Sequence, residues 1–361
     1  MYFRSSRRYC ILGYIKKVEK QKREAGRGMN IKDVAEHAGV SISTVSRVLS
    51  GKSYVNEDTK RRVLDAVRLL DYTPNVLAKS LKMGRSNTIA LMVPSIQNLI
   101  FPTIARGVED TARKNGYTVV LCNTDEDTEV EKEYITKLRN RWIDGFIVAS
   151  MMPGADHIRR LWEDGFPVVL TSRYYGDPVD AVIVENYQSS YDAVRYLIRT
   201  GHRRIALAMG REELPFYIDR WKGYRAALEE NGLMYDESLV VRETNGTNSF
   251  YYLTKQLMKR PDPPDAIFAT SDPKAIVVMR ALHDCGLRIP EDVSVIGFDN
   301  AEISSMVEPP LSTVSQPLYE IGVLAAKKLI YQIRYKEEHG APAPPAVDTL
   351  STDLIIRKST R

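Results

Sequence analysis

Apolar residues follow two regimes along the chain. From Asn30 to Leu70 they recur every three or four residues in three short blocks. Ile31, Val34, Ala35 and Ala38 share one side of a helix over 31–38, with Asp33 in its first turn and Gly39 supplying a tight turn. Ser41 or Ser43 caps a second helix, with Val45, Val48 and Leu49 inward, that ends at Ser50-Gly51. Asn56 caps a third, from about Glu57 to Leu70, whose inner face is Val63, Leu64, Val67 and Leu70. Two short helices across a glycine turn, followed by a third, form a helix-turn-helix.

From Asn87 onward the spacing changes. Short apolar runs rich in β-branched residues alternate with helical stretches: Ile89–Val93, Thr118–Cys122, Gly145–Ala149, Pro167–Leu170, Ala181–Val184, Ile205–Met209, Ala266–Ala269 and Val293–Gly297. That alternation predicts an α/β fold with parallel sheets and crossover helices. Ligands in such folds bind beyond the carboxyl ends of the strands. Here the polar residues at those ends fall into two sets, so two sheets are expected rather than one.

Charge separates the same two regions. The chain carries +5 overall at neutral pH, but residues 1–28 hold +7, residues 29–85 hold +4 and the remainder −6. A polyanion would therefore be held at the N-terminal end. Three cysteines, Cys10, Cys122 and Cys285, are too few and too scattered for a disulfide framework and suit a reducing cytoplasm. No Cys/His spacing suits zinc, and no run of about 18 apolar residues is present to span a membrane. Arg4 to Ile15 superficially resembles a secretory signal, but Lys16-Lys17-Val-Glu-Lys-Gln-Lys-Arg follows where a small-residue cleavage site belongs. Two readings of residues 1–28 remain. One is a basic arm adding nonspecific phosphate attraction; the other, favoured here, is a mis-assigned start with Met29 as initiator.

The second helix leaves Ile42, Ser43, Thr44, Ser46 and Arg47 off its core side. Arg47 can donate in bidentate fashion to guanine, and Ile42 can press on a thymine methyl. Thr44 and Ser46 suit phosphate oxygens, which fix position without reading sequence. Helix-turn-helix geometry alone also occurs in proteins that never touch DNA.

The residues themselves are more specific. Asp33-Val-Ala-x-x-Ala-Gly-Val-Ser-x-x-Thr-Val-Ser-Arg-Val-Leu49 resembles the head of the LacI/GalR family of bacterial repressors. Tyr72-Thr-Pro-Asn75 with Ala78-Lys-Ser-Leu-Lys82 resembles that family's hinge. The resemblance implies a hinge that turns helical in the minor groove when two subunits meet on an operator, with Leu81 wedging a central base step. It also implies that Ala78 and Lys82 lie along that groove and that Tyr72 and Asn75 take part in DNA contact. Thr200-Gly-His-Arg-Arg-Ile205, Arg220-Trp-Lys-Gly-Tyr224, Ile289–Asp299 and Pro310–Pro317 extend the likeness almost to the C-terminus. They imply a two-lobed sensor similar to periplasmic sugar-binding proteins, with three crossovers and the effector in the cleft. The expected domains are 1–28, a basic extension; 29–74, the DNA-binding head; 75–86, the hinge; and 87–361, the effector-binding and dimerisation part.

By the same likeness Arg220 and Asp299 contact the effector, Phe101 stacks on it, and Ser271 occupies a frequent effector-binding position. Ser172 and Arg173 follow a strand end and should face the cleft. Each could instead close a salt bridge or fill a core. Leu214-Pro-Phe-Tyr217 is apolar and aromatic where some members place polar contacts, which unsettles any specific sugar. The expected whole is a cytoplasmic homodimeric repressor of a pseudo-palindromic DNA operator, controlled by a sugar or sugar derivative. It has no cofactor, no metal and no membrane partner. A transport-type binding protein and an enzyme are the competing classes. Against the enzyme stand the missing phosphate-cradling loop and nucleophile elbow, and His202 is expected to be structural. The chain stops soon after Leu354–Lys358 without a leucine-rich tail, so a dimer is expected rather than a tetramer.

Overall fold

The computed structural model describes residues 29–50, 54–72, 85–140, 143–244, 246 and 248–361. The chain divides into two units, one up to Gly84 and one from Arg85. The division falls inside the segment expected to be the hinge.

In the first unit, α1 (Ile31–Ala38) starts on a capping box. The Asn30 side chain accepts from the Lys32 and Asp33 amides, and Asp33 returns a bond to the Asn30 amide. Gly39 ends the helix at φ 63°, a left-handed conformation that favours glycine. Ser41, one of the two expected caps, begins α2 (Ile42–Ser50), its Oγ accepting from the Thr44 amide at 3.2 Å. Asn56 caps α3 (Glu57–Leu69). Val34, Ala35, Ala38, Val45, Val63, Ala66, Leu70 and Tyr72 form the core. Leu64, expected inward, is only half-buried, and Ala66 takes its place. From Val63 the helical period returns at 66, 67 and 70, while 64 is turned about 100° away.

The second unit holds two six-stranded sheets. The first orders β11 (Val347–Leu350), β5 (Asp180–Val184), β4 (Val168–Thr171), β3 (Gly145–Val148), β1 (Thr88–Val93) and β2 (Thr118–Asn123). The second orders β12 (Asp353–Ile355), β10 (Ser312–Ser315), β9 (Ser294–Asp299), β8 (Ala266–Ala269), β6 (Ile205–Met209) and β7 (Val240–Arg242). Every pairing is parallel except β10 with β12. All eight expected strands are present. The four unforeseen ones are three-residue β7, polar β10, and β11 and β12, which occupy sheet edges and so keep polar, exposed positions.

Helices cover both faces of each sheet. On the first sheet α4 (Ile100–Lys114) and α11 (Leu318–His339) pack on one face; α5 (Thr128–Arg139) and α6 (Asp156–Glu163) pack on the other. On the second sheet, α7 (Asn186–Arg199) and α8 (Pro215–Glu230) oppose α9 (Ser249–Leu257) and α10 (Asp272–His283). One pair in each lobe crosses at glycine. A Cβ on Gly322 would lie 2.1 Å from the Ile104 carbonyl, and one on Gly223 would lie 2.2 Å from that of Tyr187. The backbones approach so closely that only hydrogen fits.

The chain passes between the lobes three times: at Glu185, between β5 and α7; at Gln316-Pro317, between β10 and α11; and at Ser351-Thr352, between β11 and β12. That agrees with the three crossovers implied by the sequence likeness. Strands β1–β5 and β6–β10 end toward these passages, so the two sets of strand ends face one cleft.

Candidate functional sites

In the first unit the outward side of α2 is the exposed chemistry. Val45 alone among its residues is fully buried. Ile42 is 42% exposed, and Ser43 and Arg47 are exposed. The Arg47 side chain has no partner among the described residues. The hydroxyls of Ser43 and Thr44 both hydrogen-bond to Ser41 Oγ, at 2.8 and 2.9 Å, so they belong to the cap as well as to the surface. Ser46 is half-buried. Arg62, which sequence reasoning passed over, reaches from α3 to the carbonyls of Ala38 and Gly39 and pins the turn that sets the angle between α1 and α2.

Tyr72, expected at the DNA, is 9% exposed and packs with the apolar core of the three helices. Asn75, Ala78, Leu81 and Lys82 lie outside the described residues.

In the second unit the six expected effector residues come together. Phe101, Ser172, Arg173, Arg220, Ser271 and Asp299 all line one cleft of about 180 Å³ between the lobes. Arg220 projects from α8 and is 4% exposed. Its Nε donates to Asn186 Oδ1 at 2.9 Å and one terminal nitrogen to the Thr270 carbonyl at 2.5 Å. The guanidinium lies 3.4 Å from the Phe298 ring centroid, with Phe216 and Tyr217 at 5.2 and 5.8 Å. Burial pulls its pKa down to about 10, against the opposing charges of Asp299 and Asp272. It has no ion-pair partner among the described residues, and a guanidinium carries five N–H donors. The remaining donors are available to the cleft.

Asp299 ends β9 and is 4% exposed. Its Oδ1 accepts from Gln316 Nε2 at 2.7 Å. Burial pushes its carboxyl above the usual range, while Arg220 and Gln316 act the other way. Asp272, wholly buried beside it, is also raised by burial and by the Asp299 charge. Asp272 is committed to structure. It accepts from Thr313 Oγ1 at 2.6 Å and from the Ala301 amide at 2.8 Å, holding the loop that follows Asp299. Gly297 makes room for it, since a Cβ there would meet Asp272 Oδ1 at 2.3 Å.

Backbone strain gathers at the same strand ends. Glu126, Ser172, Asp299 and Asn300 all have positive φ, at 61°, 65°, 126° and 55°. Non-glycine residues persist there only where the surroundings over-determine them, as at binding sites.

Among the polar lining residues that escaped the sequence reading, Glu126, Asn186, Arg211, Glu243 and Gln316 each follow a strand, namely β2, β5, β6, β7 and β10. The strand-end rule would have found the first three; the other two follow strands that were not foreseen. Lys274 also lines the cleft. It is 5% exposed and donates to Tyr217 Oη at 2.9 Å and Ser271 Oγ at 3.3 Å, with Glu243 at 3.3 Å. Burial opposes its charge, but Tyr217 and Glu243 more than offset that and raise its pKa. The Leu214–Tyr217 segment supplies Leu214, Phe216 and Tyr217 as an apolar and aromatic wall. His202 is buried against the Leu197 carbonyl, away from the cleft.

Among the described residues no three His, Cys, Asp or Glu side chains gather as a metal site. No helix there is long and apolar enough to cross a membrane.

Comparison with known proteins places both units. Residues 30–75 match the model of bacterial regulatory proteins of the lacI family. Residues 86–346 match that of periplasmic binding proteins and the sugar binding domain of the LacI family. The ribose operon repressor of Halalkalibacterium halodurans is 35% identical over 92% of this chain and 97% of its own length. Among solved structures, a complex of the transcriptional regulator CelR with cellobiose is 31% identical at a TM-score of 0.69, over 92% of this chain and 99% of that one. The lac repressor dimer bound to operator and the anti-inducer ONPF is 27% identical at a TM-score of 0.83, with the same coverage.

Proposed function

Since the chain belongs to the LacI family of bacterial regulatory proteins, we propose that it represses transcription as a cytoplasmic homodimer on a pseudo-palindromic operator, under control of a carbohydrate held in the interlobe cleft. The observation that carries the effector half is Arg220. Here a buried, charged guanidinium sits with donors to spare beside a buried carboxylate, Asp299, in a cleft walled by Phe101, Phe216 and Tyr217. Buried charge is costly unless paired and hydrogen-bonded. Vicinal hydroxyls satisfy both groups together, while aromatic faces stack on a sugar ring. The ribose and cellobiose named for two relatives support the same ligand class.

For the DNA half, two copies of the head on two-fold related half-sites set the operator's symmetry. Arg47 reads guanine and Ile42 a thymine methyl; Ser43, Thr44 and Ser46 hold phosphates. Asn75, Ala78, Leu81 and Lys82 follow the minor groove, with Leu81 as the wedge. Tyr72 supports this surface from within the core. Effector and operator affect each other's affinity by the same factor, whichever sign the effector has. The cleft binds and releases its ligand unchanged, with no catalytic group.

The test is selection of binding sites from random double-stranded DNA by the purified protein. A single pseudo-palindrome with a central pyrimidine–purine step is expected. Retention of unrelated sequences at equal affinity would contradict sequence-specific repression.

A further inference from the structure

The two lobes share three chain passages, and away from these they are joined by little. Among the described residues, the only hydrogen bond or ion pair spanning the cleft links Arg211, beyond β6 in the second lobe, to Glu126, beyond β2 in the first, at 2.5 Å. The first-lobe half of this contact is built rigidly. Glu126 is gripped by Arg173, which is 5% exposed and itself fixed by the Ser150 carbonyl at 3.2 Å and Met152 Sδ at 2.9 Å. Asp125 and Glu126 both hold positive φ, at 50° and 61°, so the loop is set to present this carboxylate. The second-lobe half is adjustable. The Arg211 side chain is 35% exposed and also pairs with Glu213 at 2.5 Å. Burial alone would raise the Glu126 carboxyl, yet the two arginines outweigh it and hold its pKa low, so the contact is ionic at neutral pH.

Glu126, Arg173 and Arg211 all line the cleft itself. We propose that Glu126 and Arg211 form a clasp that holds the lobes together across the cleft, so that ligand entry and exit require this ion pair to break. The inference rests on reading the cleft as the effector site. A contact between adjustable, part-exposed side chains at a hinge-bending cleft is suited to such a role. A part-exposed ion pair contributes about 1 kcal/mol or less, enough to bias lobe populations without locking them.

Two spin labels on the full-length protein test the clasp without any ligand. Glu129→Cys and Tyr252→Cys place them on exposed positions in the first turns of α5 and α9, one in each lobe. Cys10→Ser and Cys285→Ser clear the other reactive sites. Cys122 is buried, its thiol pushed up to about 11, and stays unlabelled. Labelled chains are diluted into unlabelled protein so that only distances within one chain are read. With the clasp intact, one dominant short distance is expected. Arg211→Gln and, separately, Glu126→Gln should add a longer distance and raise the open-to-closed ratio about fivefold, the upper range for a part-exposed ion pair. Arg211→Lys should restore most of the short population. Raising NaCl should lengthen the distance in the clasped protein and leave Arg211→Gln unchanged, because only the former has a pair to screen. An unchanged distribution in folded Arg211→Gln, or equal salt sensitivity in both, overturns the clasp. Ribose and cellobiose added to the same samples address the other reading. Failure of any sugar to bind, with the clasp behaving as described, counts against the carbohydrate effector alone.

Discussion

Replacing Arg220 with methionine separates ligand recognition from structural support. Burial holds the pKa of this guanidinium down to about 10, well below its ordinary value. A folded value below the unfolded one means that the charged form is disfavoured by folding, by about 3 kcal/mol at roughly 1.4 kcal/mol per unit. Arg220→Met lifts that penalty and keeps much of the packing on Phe298. Against the gain, Asn186 Oδ1 and the Thr270 carbonyl each lose a donor, which costs about 1–3 kcal/mol apiece. Asp299 also loses its nearest favourable charge. The terms largely cancel, so the unfolding free energy from urea melts should change by no more than a gain of about 1 or a loss of about 3 kcal/mol. Binding should not be spared. Loss of a charged hydrogen bond to the effector costs about 1.5–3 kcal/mol, or roughly 10- to 150-fold in affinity. Urea melts of the ligand-free protein, and thermal shifts with sugars that stabilise the unaltered chain, measure the two effects. A collapse of stability together with an undiminished sugar-induced shift would mean that Arg220 is a strut and not an effector contact.

Three further outcomes are expected. Arg47→Ala should lower affinity for the selected operator by about 1–3 kcal/mol while leaving nonspecific binding nearly unchanged; fluorescence anisotropy on both DNAs measures the difference, and equal losses would make Arg47 a phosphate contact. Gly223→Ala forces a methyl within 2.2 Å of the Tyr187 carbonyl and should destabilise the second lobe by roughly 2–3 kcal/mol in urea melts; an unchanged midpoint would mean that α7 and α8 part freely. Asp272 and Asp299 both titrate higher folded than unfolded, so the stability they confer is complete below about pH 4 and is lost as pH rises through their folded values. The sensor's urea midpoint should therefore fall between pH 5 and pH 8, and Asp272→Asn should flatten that slope; a midpoint rising across this window would contradict the assignment.

The head was legible nearly residue by residue because its signals are local: Asn30, Gly39, Ser41 and Asn56 punctuate helices whose apolar period is short and clear. The burial of Tyr72 was not legible, for the opposite reason. Its burial depends on how the chain folds back under α1–α3, and no nearby pattern shows that. In the sensor, buried strands such as Ile205–Met209 stand out as apolar runs. Edge strands β11 and β12 do not, since one exposed side lets polar residues in. The cleft was half legible. Arg220 and Asp299 could be named from motif likeness, whereas Glu126, Arg211 and Lys274 acquire meaning only when two lobes distant in sequence face each other. The partnership of Glu126 with Arg211 spans 85 positions, beyond the reach of any local spacing rule.

DNA recognition and cleft occupancy, as proposed, belong to one mechanism. Capture of genomic fragments by the purified protein, in paired samples with and without a pool of sugars including ribose and cellobiose, measures that coupling. Enrichment of one pseudo-palindrome whose recovery changes when sugars are added is the predicted result. Recovery that is sequence-independent, or a specific site whose capture no sugar alters while a sugar demonstrably fills the cleft, would contradict it.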